Sequence, residues 1–350
     1  MVNIREALSS DNAGLLALTS LTPMRGRISL RIDRNPDFFR LLHKRGYSKV
    51  FIAENNGVIV GCFSASAVET IVNGNREKVF YLADLKVHPL YEGTTLAARL
   101  LKRMADYIRT TDADLLFCTA ASGNMKVMPL FTGRAGFPVF RYTGTFRVFQ
   151  LIPLRKDAKS GKFTVTETKV NSEIIRMFNQ FFLRYRLSPH WSEESLEGTQ
   201  TIVAIHEKGI KAAVSLIDTG SLKQNNLSDL PFFLNLILLL IKTINKIVHA
   251  VNLPEPGKPL KMIYIKAFAY REDYKDALDL LIRHARKLAF HGGYCFLTVG
   301  IHEKDPCSAL FKKYPHFTFR SLGFLSGIRG DNEKIDRIIE GVPFEDYSLV

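Results

Sequence analysis

The chain repeats itself, and the repeat limits what it can fold into. Residues 81–107 laid on 261–287 at an offset of 180 place Lys86 on Lys266, Glu92 on Glu272, Ala97 on Ala277 and Leu100-Leu101 on Leu280-Leu281. Arg103 then meets Arg283, Ala105 meets Ala285, and Leu130-Phe131 meets Leu310-Phe311 without a gap. A hairpin pattern at 50–64, turning at Asn56-Gly57, falls on 202–216 at an offset of 152, with Gly57 on Gly209. The second copy therefore holds 28 extra residues between its hairpin and its next strand. A register that holds while element type is preserved means two copies of one unit, and 350 residues exceed one ordinary core. The Pro-, Gly- and charge-containing stretch 153–162 (PLRKDAKSGK) suits a linker. The division is then a first unit at 1–154, a linker at 155–162, a second unit at 163–328 and a tail at 329–350 with a helical pattern at Asn332–Glu340.

Within the first copy, 81–107 reads as strand, turn and helix. Pro89 stops strand pairing because it has no N–H for a ladder. Leu96, Leu100, Leu101, Met104 and Ala105 share one helical face, with Arg99, Lys102, Arg103 and Asp106 opposite. Between strand and helix, Tyr91-Glu92-Gly93-Thr94-Thr95 leaves backbone N–H groups free at a helix N-terminus, which suits an anion and above all a pyrophosphate.

This stretch resembles the cofactor motif of the GNAT superfamily of N-acetyltransferases, V-x-P followed by (Q/R)-x-x-G-x-(G/A). Val87-His88-Pro89 is the V-x-P, and Glu92-Gly93-Thr94-Thr95-Leu96-Ala97 is the loop; Glu92 and Thr95 depart from the motif. The order of elements around it also follows that fold. The resemblance implies an α/β protein of two tandem GNAT-like domains, each with a mixed, mostly antiparallel central sheet flanked by helices. It implies acetyl-CoA or another acyl-CoA as cosubstrate, no metal, and acyl transfer to a small-molecule or peptide amine. The cofactor would be held by Val87, Glu92, Gly93, Thr94, Thr95, Leu96, Ala97 and Asn124. On the same resemblance, Asp84 is the candidate base and the Val87 N–H polarises the thioester. Thr132 stands where the family's tyrosine acid does, in Phe131-Thr132-Gly133-Arg134-Ala135-Gly136-Phe137, with Tyr81 and Tyr142 as substitutes.

In the second copy the corresponding loop is Glu272-Asp273-Tyr274-Lys275-Asp276. Its three carboxylates and lost glycine oppose a pyrophosphate, so the first copy is the expected binder. The net charge of +14 is concentrated there too, with 21 Lys and Arg against 12 Asp and Glu in residues 1–155. A basic surface favours polyanions without choosing among them. Two rivals stay open: a transferase taking its group from charged tRNA or an acyl-carrier protein, and a non-catalytic ligand- or partner-binding protein. Nucleic acid other than tRNA is disfavoured.

The four cysteines show no metal or disulfide spacing and read as reduced thiols. Met1–Ser10 carries no apolar signal segment, so a cytoplasmic location is expected. The inserted region 222–256 contains the most apolar run, 230–241, expected as a helix over 231–251 that packs between domains or at a homodimer contact. Too short to span a bilayer, it makes membrane association the disfavoured alternative.

Overall fold

The computed structural model describes residues 2–22, 29–124, 127–133, 136–155, 161–229, 251–254, 257–330 and 332–350. In the first half the elements are β1 (Asn3–Glu6), α1 (Asn12–Leu21), β2 (Ser29–Asp33), α2 (Phe39–Arg45), β3 (Tyr47–Asn55), β4 (Val58–Val72), β5 (Asn75–Val87), α3 (Leu96–Arg109), β6 (Leu115–Ala121) and β7 (Arg141–Leu151). In the second half they are β8 (Thr164–Thr168), α4 (Ser172–Phe182), β9 (Leu187–Pro189), β10 (Gln200–His206), β11 (Gly209–Asp218), β12 (Gln224–Asp229), β13 (Met262–Tyr270), α5 (Lys275–His291), β14 (Phe296–His302), α6 (Ser308–Lys312), β15 (His316–Gly327) and α7 (Asn332–Glu340).

Local chemistry accounts for the elements that position the site. Asn56 and Gly57 both adopt positive φ, 50° and 77°, the geometry of a tight two-residue hairpin turn joining β3 to β4. Helix α3 buries Leu96, Leu100, Leu101, Met104, Ala105 and Ile108 against β3, β4 and β5, while α1 and α2 cover the opposite face of β3 and β4.

The repeat is real, but its halves are not separate. One sheet runs β1-β3-β4-β5-β6-β15-β7-β14-β13-β11-β10-β8. Strand β15, the last of the second half, completes the first half beside β6, and β7, the last of the first half, completes the second beside β14. The two exchanged strands pair with each other, His316 opposite Leu151 and Leu325 opposite Arg141. Across this seam Val79, Leu115 and Phe117 share a core with Phe146, Leu325, Tyr347 and the α7 residues Ile335 and Ile338. A chain of residues 1–154 alone would expose the edge of β6, an aggregation-prone arrangement. We expect it to form strand-exchanged dimers or aggregates in light scattering; a folded monomer would contradict the exchange.

The sheet also corrects the repeat's register. Cys62 pairs with Lys86 and Ser64 with Ala83 in the first half, while Ser215 pairs with Ala267 and Leu216 with Ile265 in the second. Carrying the hairpin's offset of 152 across these pairs puts Lys266 on Asp84, an offset of 182, and leaves Lys86 opposite Phe268. Side-chain identities along α3 and α5 set the offset of 180, so the connection from strand to helix is two residues shorter in the second half.

Residues 3–6 form edge strand β1. Among the described residues, Met128–Phe131 is a 3-10 turn. The insertion 222–256, read as helical, opens with strand β12, which pairs with β2 of the first half in a separate two-stranded sheet. Its polar Gln224-Asn225-Asn226 is held by long-range bonds, such as Asn226 Nδ2 to Asp33 Oδ2 at 2.9 Å. The apolar run and its expected helix lie outside the described residues.

Candidate functional site

Parallel strands β5 and β6 pair only at Val79–Leu115, Phe80–Leu116 and Tyr81–Phe117. Beyond Tyr81 they part, β5 running on to Val87 and β6 to Ala121. The Tyr81 hydroxyl meets Thr119 Oγ1 at 3.0 Å across the apex of this gap. Opposite Phe63, β5 carries a bulge at Asp84 and Leu85, and Asp84 sits at φ 56°, uncommon for a residue with a Cβ. The bulge turns the carboxylate onto the α1–α2 side. There Arg34 Nη2 donates to its Oδ1 at 2.7 Å and Ser64 Oγ donates to Oδ2 at 2.9 Å.

The Asp84 and Arg34 side chains are only 7% and 6% exposed. Burial alone would push the Asp84 carboxyl up, but Arg34, Lys86 and Arg45, with the Ser64 hydroxyl, outweigh it and hold the group below the usual carboxylate range.

The loop after β5 keeps its polar backbone free. His88 donates its N–H to Val60 O at 2.9 Å, so strand alternation turns the Val87 N–H away from β4 and toward the gap. The 3-10 turn Pro89–Tyr91 follows, then Gly93 at φ 78° with nothing within 4 Å of where a Cβ would stand. At the start of α3, Leu96 N–H is taken by Thr94 Oγ1 at 3.3 Å, and the regular helical bonds begin with Arg99 N–H to Thr95 O at 3.0 Å. The N–H groups of Gly93, Thr95, Ala97 and Ala98 have no hydrogen-bond partner among the described residues. Glu92 is exposed. Asn124 follows β6 at the same end of the parallel pair, its N–H bound to Ala121 O at 3.0 Å.

Not all the expected residues converge. Thr132 is exposed and forms an isolated bridge with Val139; among the described contacts nothing brings it to Asp84. Tyr142 is 47% exposed and bonded to Thr145. Tyr81 is at the gap, and burial pushes its phenol well up, so it stays protonated.

The second half is built differently at the equivalent place. Strands β13 and β14 pair at three positions and then part. Its bulge residue is Lys266, not a carboxylate, and Lys266 Nζ is bound to Asp346 Oδ2 at 2.6 Å. Phe344 packs on Phe268 of β13, and the Tyr347 ring occupies the space where a Cβ on Gly300 of β14 would stand. The C-terminal segment thus lies across the second gap.

That segment also reaches the first half. Arg45 donates to Leu349 O, and its guanidinium stacks 4.4 Å from the centre of the Tyr81 ring. Lys223 Nζ donates to Tyr347 O at 2.9 Å and to Val350 O at 2.5 Å. Burial, with Asp346 beside it, pushes the Glu345 carboxyl up to about 8. An acid with a raised folded-state pKa contributes stability that is complete below its ordinary pKa and lost as pH rises through about 8. Urea unfolding from pH 5 to 9 should show wild type losing stability relative to Glu345→Gln; parallel curves would contradict the burial.

Sequence reasoning missed Arg34, Arg45, Lys223 and Glu345, and gave Lys86 only a place in the repeat. The first four lie outside the motif, and their meeting depends on contacts between elements far apart in the chain. Among the described residues, no group of His, Cys, Asp and Glu is arranged to hold a metal, and no helix is long and apolar enough to cross a membrane. The four cysteines are buried free thiols.

Comparison with known proteins agrees with this architecture. The model of the acetyltransferase (GNAT) family matches residues 19–137. A probable N-acetyltransferase, HLS1 of Arabidopsis thaliana, is 24% identical over 135 residues, covering 35% of this chain and 33% of its own length. The chain thus spans about a third of that curated relative. Among solved structures, Saccharomyces cerevisiae N-myristoyltransferase with bound myristoyl-CoA is similar over 93% of this chain and 82% of its own, with TM-score 0.61 and 14% identity. A GCN5-related N-acetyltransferase from Anabaena variabilis covers 94% of this chain and 73% of its own, with TM-score 0.52 and 9% identity. Residues 19–137 are thus similar in sequence to the GNAT family, and the chain shares the fold of these GNAT-fold transferases over nearly its whole length, as two tandem GNAT-like units.

Proposed function

We propose that the protein is an N-acyltransferase that moves an acyl group from acyl-CoA to an amine, with its chemistry in the first half. The observation that carries this reading is the open β5–β6 gap, with a bulged carboxylate on one side and free N–H groups at the start of α3 on the other. A pyrophosphate is held by the N–H groups of Gly93, Thr95, Ala97 and Ala98, aided by the α3 dipole. Thr94, Leu96 and Asn124 flank it, and Glu92 is exposed. The thioester lies in the gap, its carbonyl oxygen on the Val87 N–H.

The amine nitrogen attacks the thioester carbon, the new C–N bond forms, and the C–S bond breaks. Asp84 attracts the ammonium, which loses one proton through water to solvent before the neutral amine can attack; the second proton, made acidic by attack, passes to Asp84 directly or through water. Holding Asp84 ionised suits it to this late acceptance. Tyr81, protonated at the apex of the gap, is placed to donate toward the departing thiolate, and Thr132 supplies at most a hydrogen bond. Acetyl-CoA is the simplest donor. The protein acts in the cytoplasm on this reading, and its acceptor is a small molecule or peptide. The supporting contrast is the second half, with Lys266 at its bulge, a segment across its gap and an acidic loop.

Native mass spectrometry of the freshly purified protein tests the donor. A mass increment matching CoA or an acyl-CoA is expected; a bound aminoacyl-tRNA, or no binding of added acetyl-, long-chain acyl- or free CoA, would overturn it.

A further inference from the structure

The first half's gap borders a buried group of cations with too few partners. Arg34 is 6% exposed and Arg45 7% exposed, and the Nη1 atom of each is buried with no hydrogen-bond partner among the described residues. The half-buried Lys86 side chain has no hydrogen bond or ion pair among the described residues. These three cations interact with a shared carboxylate, Asp84, whose Oδ1 and Oδ2 are already engaged by Arg34 and Ser64. Asp33 also lies near Lys86, but its Oδ2 is committed to Arg31 at 2.9 Å and to Asn226, leaving Oδ1 buried and unpartnered.

Counting charges, Arg31 balances Asp33, and Asp84 balances one of Arg34, Arg45 and Lys86, so about two positive charges remain. Two neighbouring tail groups do not offset them, because Leu349 offers a neutral carbonyl and Glu345 holds its proton near neutral pH. Buried guanidinium N–H groups left unpaired cost free energy, and native proteins pair almost all of them. The arrangement is that of a site waiting for an anion. It lies on the Asp84 side of the gap, away from the N–H groups at the start of α3.

We propose that Arg34, Arg45 and Lys86 bind a carboxylate carried by the acceptor, so that the acceptor is an amino acid or a short peptide with its carboxylate close to its amine. Guanidinium forks match a carboxylate in shape. Asp84 and the free Oδ1 of Asp33 complement the acceptor's ammonium, so both ends of a zwitterion find opposite charge. A phosphate dianion fits less well, because it would bring a second negative charge against Asp84 and Asp33. This inference rests on the acyltransferase reading for the word acceptor, but the binding itself does not require CoA.

The test is calorimetry with a panel of amino acids and dipeptides, each beside its C-terminal amide, on protein with and without CoA. At least one acid should bind tenfold or more tighter than its amide, and Lys86→Met should remove that difference while circular dichroism and CoA affinity stay unchanged. Equal binding of acids and amides, binding of inorganic phosphate in preference to every acid, or a preference that survives in Lys86→Met would overturn the proposal. If carboxylates bind but CoA does not, the carboxylate site stands and the transferase reading fails.

Discussion

Asp84→Asn should lower turnover by roughly a hundredfold or more, the loss typical of removing a proton acceptor, and it should also weaken the fold. The second effect follows from the 2.7 Å pair with Arg34, in which both side chains are more than nine-tenths buried. Removing one member of such a pair leaves the other charge uncompensated, at a cost of about 3–5 kcal/mol. That is a large share of a net stability of about 5–15 kcal/mol. Denaturant unfolding measures this part, and single-turnover kinetics on protein shown to be folded measures the other. Arg34→Leu should destabilise as much, and the Asp84→Leu, Arg34→Leu double variant should recover part of the loss, since no buried charge is left unpaired. Full activity in folded Asp84→Asn would leave Asp84 a structural residue only. A stable Asp84→Asn would show that Arg34 has another anionic partner.

Gly93→Asp should abolish CoA binding, with affinity falling at least a hundredfold. Nothing crowds a side chain at this position, so the effect is not steric. It has two parts: a φ of 78°, which costs a residue with a Cβ about 1–2 kcal/mol, and a carboxylate placed among the N–H groups that would hold the pyrophosphate. Gly93→Asn separates them, because asparagine tolerates the left-handed conformation and carries no charge. Isothermal calorimetry should show Gly93→Asn binding within about tenfold of wild type, a factor worth about 1.4 kcal/mol. If Gly93→Asp binds CoA as wild type does, the pyrophosphate is not at this loop.

The architecture was legible where chemistry is local. Val87-His88-Pro89 ended β5, the apolar spacing from Leu96 set α3, and Asn56-Gly57 made a hairpin, because each depends on neighbours a few residues apart. Helix α7 stood at Asn332–Glu340 as its pattern required. The repeat announced two units, yet it did not show that β7 and β15 trade places. Each closing strand carries the same apolar alternation whichever half it completes, so the pattern alone does not choose.

The site was legible only as a strand and a loop. Asp84 and Gly93 lie inside the motif, whereas Arg34 and Arg45 reach Asp84 and Tyr81 from segments about 50 and 36 residues earlier in the chain. Lys266 was read as the partner of Lys86, because sequence identity weighs matching lysines above a bulge that only hydrogen-bond pairing reveals. That correction sharpens the contrast between the halves. One bulge carries a carboxylate paired with Arg34 beside the gap, and the other a lysine paired with Asp346.

The central claim, that the cofactor site belongs to the first half alone, is tested most directly by titrating CoA into the intact protein in a calorimeter. The account predicts a stoichiometry near one per chain, unchanged in Asp273→Gly and lost in Gly93→Asp. Two sites per chain, or one site that survives Gly93→Asp and vanishes on substitution in the second half, would contradict it.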